Sequence, residues 1–266
     1  MYQLTNDLSV ASSVLFSNVW LFADSKNRRF LIDTGDAAER WLLRRCLKRA
    51  GITQPGDITA VLLTHWHRDH AGNAAWLRET YGCPVICHEN DAPYLEATAA
   101  PEPLTGLKAP VWARVGHLLQ DLYPARCVVD ETFRAGPWKW GFEIIHTPGH
   151  TPGTVMFYHR PTATLFSGDA ILTGTTPFRL GEIVGLAVPE FSPHLDECHA
   201  ATRQYVKIAP EIKRLCAGHG PLVEGDINAK LRALINGERQ AAPLLGIVRN
   251  LVAMPQLAKQ LLPRHV

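Results

Sequence analysis

The stretch THWHRDHAG, residues 64–72, puts three histidines and an aspartate into six consecutive positions. It overlaps the end of ITAVLLTH (58–65), a continuous apolar run of the kind that forms a buried strand. Where the backbone leaves the strand still extended, residues two apart project the same way, so His65 and His67 can share one target. Asp69 and His70 are adjacent and open the next helix, AGNAAWLRETYG (71–82), so they turn elsewhere. One short loop thus offers two pairs of donor groups aimed at two nearby points. Imidazole and carboxylate suit Zn²⁺, and also Fe or Mn. A loop that is merely polar and solvated rarely concentrates histidine in this way.

Three further places carry single donors of the same kind. TPGHTPG (147–153) holds His150 in a tight Pro/Gly turn, LFSGDAI (165–171) holds Asp169 at the end of an apolar run, and CAGHG (216–220) holds His219 between glycines. Each lies at the end of a β-like run, in a loop whose small neighbours permit close approach.

The rest of the chain sets the frame. Its 266 residues are 46% hydrophobic and 20% charged, an ordinary balance for a globular protein able to bury a core without disulfides. A net charge of +2 gives no electrostatic argument for nucleic acid or a membrane surface as an obligate partner. The six cysteines are scattered without a CxxC pair and read as reduced core thiols. No basic leader with an apolar core opens the chain, and no apolar run approaches the ~18 residues of a spanning helix, so a cytoplasmic location is the expectation.

Strand patterns appear at SNVWLFAD (17–24) and RRFLIDTG (28–35), and a helical period follows at 36–51, with Asp36 and Gly51 as caps. CPVICHEN (83–90) reads as a strand. Pro93, Pro101, Pro103 and Pro110 punctuate 91–126, which keeps helical character at WARVGHLLQDLY (112–123). β-character returns from CVVDETF (127–133) to ATLFSGDAIL (163–172), and helices follow at 194–210 and 227–252. Periodicity supports an α/β class. A helix-covered sheet occurring twice suggests a four-layer αββα sandwich of two mixed sheets with helices outside.

The ordered set H-x-H-x-D-H, TPGHT, SGD and GHG, with FLIDTG at 30–35, resembles the metallo-β-lactamase fold hydrolases. The resemblance implies one domain over 1–266, with 91–126 and 173–191 as substrate-side insertions and 227–266 as a C-terminal helical extension. It also implies two divalent metal ions, Zn in first place with Fe or Mn as alternatives. One would be held by His65, His67 and His150, the other by Asp69, His70 and His219, with Asp169 and a hydroxide bridging. Two divalent ions against two carboxylates and one hydroxide leave net positive charge, which activates water near neutral pH and stabilises an oxyanion. Asp69 would also orient the nucleophile or carry a proton. Asp33 would hydrogen-bond near the metal loop rather than ligate. Among the seven other histidines, His146, close to His150, is the candidate supporting residue.

The expected reaction is hydrolysis of a carboxylic ester, lactone or thioester of a small molecule. Asp169 stands where zinc β-lactamases usually carry Cys or Ser. Glyoxalase II-type thioesterases share the seven donors, although GHGPL (218–222) departs from their pattern, and lactonases share the TPGHTPG turn. The alternative is a metal-dependent phosphodiesterase or endoribonuclease, which THWHRDH, with Trp66 and Arg68, and SGD followed by GTT (174–176) also resemble. Arg179, Arg203, Lys207, Lys213 and Arg214 could meet phosphates, but acids intersperse them, so nucleic acid is not favoured. Tyr94, Trp112, Phe178, Leu180 and Phe191 on the two insertions suggest an acyl or aromatic substrate, or contacts of a homo-oligomer.

Overall fold

The computed structural model describes residues 1–12, 16–174 and 184–237. Two mixed sheets form its centre. The first orders its strands as in the chain: β1 (Tyr2–Gln3), β2 (Leu8–Ser12), β3 (Asn18–Ala23), β4 (Arg29–Ile32), β5 (Ala60–Leu62), β6 (Val85–His88) and β7 (Glu131–Phe133). Pairing is antiparallel through β4 and parallel from β4 to β7. The second sheet joins β8 (Gly136–Pro137), β9 (Phe142–His146), β10 (Val155–His159), β11 (Thr164–Gly168), β14 (Arg214–Ala217) and β15 (Val223–Glu224). Its β11–β14 pair is parallel and the others are antiparallel. β12 (Ile171–Leu172) and β13 (Gly185–Leu186) form a small separate ladder.

Side chains alternating along each strand divide the apolar residues among three layers. Trp20, Phe22, Phe30, Ile32, Phe157 and Phe166 point between the sheets, where Phe22 meets Phe142 and Phe166 edge-on. Such ring pairs add about 0.5–1.5 kcal/mol each beyond area burial. The intervening residues Val19, Leu21 and Leu31 face outward onto helices α1 (Arg40–Arg49) and α3 (Ala74–Tyr81). Met156, Tyr158 and Leu165 face outward on the other side, with residues of α6 (Leu195–Ile208) and α7 (Ile227–Ile235). The result is the αββα sandwich. Shorter helices α2 (Arg68–Ala71) and α4 (Ala92–Leu95) and the longer α5 (Val111–Leu122) lie at its upper edge and in segment 91–126.

Of the predicted caps, Asp36 accepts from the Ala38 amide in the 3-10 turn (Ala37–Glu39) that leads into α1, and Gly51 follows α1 in the left-handed conformation. The strand expected over 127–133 is confined to Glu131–Phe133, and the two N-terminal strands carry too short a pattern to announce themselves. All six cysteines are free thiols, five of them buried. Among the described residues no helix is long and apolar enough to cross a membrane. Phe178, Leu180 and Arg179, and the helix expected beyond residue 237, lie outside the described residues.

One charged link ties the sheets together at their rim. Arg214 of β14 donates through Nη1 and Nη2 to the two Asp7 oxygens at 2.7 Å, and through Nε to Thr164 Oγ1 at 2.9 Å. The Arg214 guanidinium holds the Asp7 carboxyl down at about 2. The folded value lies below the unfolded one near 4, so the pair stabilises fully above pH ~4 and its contribution is lost as pH falls through about 2. Asp7 is about a third exposed, so solvent screening trims the contribution to roughly 1–2 kcal/mol. Asp7→Asn should therefore lower Tm at pH 7, and the gap to the unaltered protein should close near pH 2. A gap that stays constant with pH would show that the charge pair is not its cause.

Candidate metal centre

Parallel pairing places the site. The carboxyl ends of β4, β5, β11 and β14 emerge at one edge of the sandwich, where loops converge. Asp33 follows β4, His65 and His67 follow β5, Asp169 follows β11 and His219 follows β14. The turn after β9 brings His150 to the same edge. Asp69 and His70 sit in the short helix α2, whose 1.5 Å rise per residue keeps them beside the preceding histidines.

All seven predicted donors meet there. Their ligating atoms form three overlapping triads, His65–His67–His150, His65–His70–Asp169 and Asp69–His70–His219, each within 4.8 Å. Asp169 lies between the poles. Its Oδ1 is 3.3 Å from His70 Nε2, and its Oδ2 is 3.5 Å from His150 Nε2 and 3.3 Å from His219 Nε2.

Neighbouring groups decide which ring nitrogen faces inward. Asp33 Oδ2 accepts from His70 Nδ1 at 2.8 Å and also from Thr64 Oγ1 at 2.8 Å. With its proton so placed, Thr64 Oγ1 accepts from His65 Nδ1 at 3.0 Å. Ser192 Oγ donates to the Val188 carbonyl at 2.8 Å, so it accepts from His150 Nδ1 at 3.0 Å. Each of these rings thus spends its Nδ1 proton outward and turns Nε2 toward the centre, with a bare lone pair in His65 and His150. His65 Nε2 and His150 Nε2 stand 3.2 Å apart with no proton to share, a contact that repels unless a cation lies between them.

Electrostatics agree. Burial holds His65 and His67 well below the usual imidazole range and His150 at about 4, so all three are neutral donors. Burial acts the same way on His70, but Asp169, Asp69 and Asp33 outweigh it and raise it well above that range. The acidic pole therefore calls for positive charge. Buried Asp169 Oδ1 and His219 Nδ1 have no hydrogen-bond partner among the described residues, another cost a metal ion would relieve at the carboxylate. The residues fit a metal centre.

The surrounding backbone is shaped to it. A Cβ on Gly218 would fall 2.3 Å from Asp169 Oδ1 and 2.6 Å from His70 Cε1, so only glycine fits beside the cluster. Asp33 occupies φ +60, a left-handed conformation that Asp tolerates at modest cost. Asn18 Nδ2 donates to the Ala217 and Gly220 carbonyls, and Trp20 Nε1 to Ala217, pinning the His219 loop to the first sheet. His146 lies outside the cage, stacked on His88 with centroids 4.1 Å apart and its Nε2 donating to the Pro152 carbonyl.

Two features have no local sequence signal. Asp91 is fully buried and accepts from Trp66 N at 3.0 Å, Thr151 Oγ1 at 2.8 Å and Gly153 N at 2.6 Å. It joins the loop of His65 and His67 to the turn of His150, and burial pushes its carboxyl up to about 7 against those three donors. Arg68 reaches back to Asp36, with Nε at 2.6 Å and Nη2 at 2.8 Å. Trp66 is buried against Tyr94. These two residues between the donors are thus committed to structure.

The cluster opens on a cavity of about 300 Å³. His67, Asp69, Asp169 and His219 form its floor, while Phe16, Leu104, Val115, Leu119, Leu172, Val188 and Phe191 line its walls.

Sandwich and donor cluster together define a metal-dependent hydrolase. The chain belongs to the metallo-beta-lactamase superfamily, whose family model matches residues 13–219. It is 27% identical over 203 residues to the probable metallo-hydrolase YybB of Bacillus subtilis (strain 168), covering 76% of this chain and 80% of that one. It is 33% identical over 156 residues to a hydroxyacylglutathione hydrolase of Enterobacter sp. (strain 638), covering 59% of this chain but 47% of the relative, about half its length. Among solved structures, TTHA1623 in a di-iron-bound form aligns at TM-score 0.55 with 27% identity, over 82% of this chain and 93% of that one.

Proposed function

We propose that the protein is a dinuclear hydrolase that cleaves a carboxylic ester, lactone or thioester of a small, largely apolar molecule. His65, His67 and His150 would hold one ion and Asp69, His70 and His219 the other, with Asp169 shared. When bound, such ions supply Lewis acidity toward a carbonyl oxygen and lower the pKa of water toward neutrality. Asp33 keeps the His70 Nε2 lone pair inward through its bond to Nδ1, and Thr64 and Ser192 do the same for His65 and His150. Asp69 Oδ2 lies 3.6 Å from His70 Nε2 and 3.5 Å from His219 Nε2. Its carboxylate, at the cavity floor and a quarter exposed, is placed to take a proton from attacking water and return it to the leaving group.

The observation that carries the acyl reading is the charge of the cavity. Among its described lining residues the one Lys or Arg is Arg68, and Asp36 already neutralises it through two hydrogen bonds. Metal ions could serve the scissile phosphate of a phosphodiester, but the walls offer its flanking groups no free cation, whereas apolar walls suit an acyl group. The similarity to hydroxyacylglutathione hydrolases supports the same bond class. Six free thiols support a reducing compartment, the cytoplasm.

A hydrolysis panel tests this, with metal content measured on the same sample. About two ions per chain are expected, with activity lost on chelation and restored by Zn, Fe or Mn. Turnover of aryl esters, lactones or thioesters should exceed that of bis(p-nitrophenyl) phosphate by at least ~10²-fold in kcat/KM, the scale set by leaving a charged group unpaired in an apolar site. Preference for the phosphodiester or for single-stranded RNA would overturn the reading.

A further inference from the structure

Helix α5 places one polar side chain in the cavity wall among the apolar Val115 and Leu119. Gln120 is 4% exposed and lines the cavity. Its Oε1 accepts from the Arg68 amide at 2.7 Å, which settles the orientation of the side-chain amide, since a flipped one would set donor against donor. Its Nε2 therefore keeps two N–H donors, and it has no partner among the described residues. A buried donor left unpaired costs roughly 1–3 kcal/mol, a cost that a substrate acceptor would remove. The donor is also held at a set offset from the metal donors. Arg68 stands between His67 and Asp69 and is bound to α5 twice, by its amide to Gln120 and by its Nη1 to the Leu119 carbonyl at 3.4 Å.

Resting on the acyl reading above, we propose that Gln120 is a substrate-positioning residue whose Nε2 donates to a neutral acceptor oxygen in the acyl part of the substrate. The substrate class narrows accordingly. It is an ester, lactone or thioester whose acyl chain is apolar, as Phe16, Leu104, Val115, Leu119, Val188 and Phe191 require, apart from one uncharged ketone, amide, ether or hydroxyl oxygen. A carboxylate or phosphate in that position would need a counter-charge, and the guanidinium of Arg68 is already held by Asp36. The cavity, at the small end of ligand pockets, takes a medium chain rather than a polymer.

The test uses p-nitrophenyl octanoate and three analogues in which the methylene at chain position 4, 5 or 6 is replaced by oxygen. These differ from the parent by one neutral acceptor and little volume. The unaltered holoenzyme should hydrolyse one oxa analogue about 10-fold better in kcat/KM than the parent, the scale of one hydrogen bond to a buried donor. In Gln120→Leu, which also strands the Arg68 amide between His67 and Asp69, the rates on all four esters should fall, but the preference, a ratio taken within one variant, should vanish. Gln120→Met, of closer shape, should behave as Gln120→Leu does. The same fold-loss on all four esters, with or without loss of metal, would mean that Gln120 only holds the Arg68 loop, and would overturn the proposal. So would an oxa preference that survives both variants, or no preference in the unaltered enzyme. Failure of the unaltered enzyme to cleave any of the esters, while a phosphodiester is cleaved, would instead overturn the acyl reading and this assignment with it.

Discussion

Replacing Asp169 by alanine should lower kcat/KM on the order of 10³-fold and leave the purified protein short of about one metal ion per chain. Asp169 is the carboxylate that reaches both poles of the cluster, with one oxygen toward His70 and the other toward His150 and His219. Its alanine variant leaves five imidazoles with Asp69 as the sole remaining carboxylate of the cage. Removing one well-placed electrostatic partner costs ~10²–10³-fold in catalysis, and loss of an ion adds to that. Asp169→Asn keeps the shape and removes the charge, so it should fall between the two. Metal analysis by plasma emission and steady-state kinetics on the same preparations check the result. An alanine variant with full metal and full rate would remove Asp169 from the centre. Folding should be little affected, because the β11 backbone before Asp169 pairs on both sides.

Asp91→Ala should act on stability and metal together, although Asp91 touches no metal donor side chain. Its two oxygens take three buried donors, from Trp66, Thr151 and Gly153. Alanine strands all three, at about 1–3 kcal/mol each, or roughly 3–5 kcal/mol once the site relaxes. For a chain of this size that is a fall in Tm of about 10 °C. The same bonds hold the turn carrying His150 against the loop carrying His65 and His67, so this pole should lose its ion first. Asparagine offers no rescue. Its NH₂ group would face an amide donor wherever it is turned, because both Asp91 oxygens accept from backbone N–H groups. Thermal unfolding followed on metal-loaded and metal-stripped protein separates the two effects. An unchanged Tm in both forms would rule out the role given to Asp91.

Different parts of the molecule were legible to different degrees. The buried strands and amphipathic helices could be read because residues facing one layer recur at period 2 or 3.6. Phe22 and Phe30 go inward while Leu21 and Leu31 go outward. The strands β1 and β7 were obscure, because two or three residues hold too little pattern and their pairing is set by neighbours. Within 91–126, prolines masked the short α4, while the helical character read at 112–123 is α5. Arg68 shows the converse. With Trp66 it carried part of the resemblance to endoribonucleases, but Asp36, 32 residues away, holds it.

What the amino-acid order determined by itself is the kind of chemistry. Metal binding demands imidazole and carboxylate in loops with room for close approach, and few other pressures place histidines in H-x-H-x-D-H, TPGHT and GHG. The tertiary structure alone decided how those donors are aimed and what lies above them. The tautomers of His65, His70 and His150 depend on Thr64, Asp33 and Ser192. The link between their loops depends on Asp91, and the polarity of the cavity depends on Gln120 and the Arg68–Asp36 pair. These are common residue types at unremarkable positions. Their roles come from hydrogen bonds of about 3 Å between residues mostly 25 to 62 apart in the chain, and such distances exist only after the two sheets have packed.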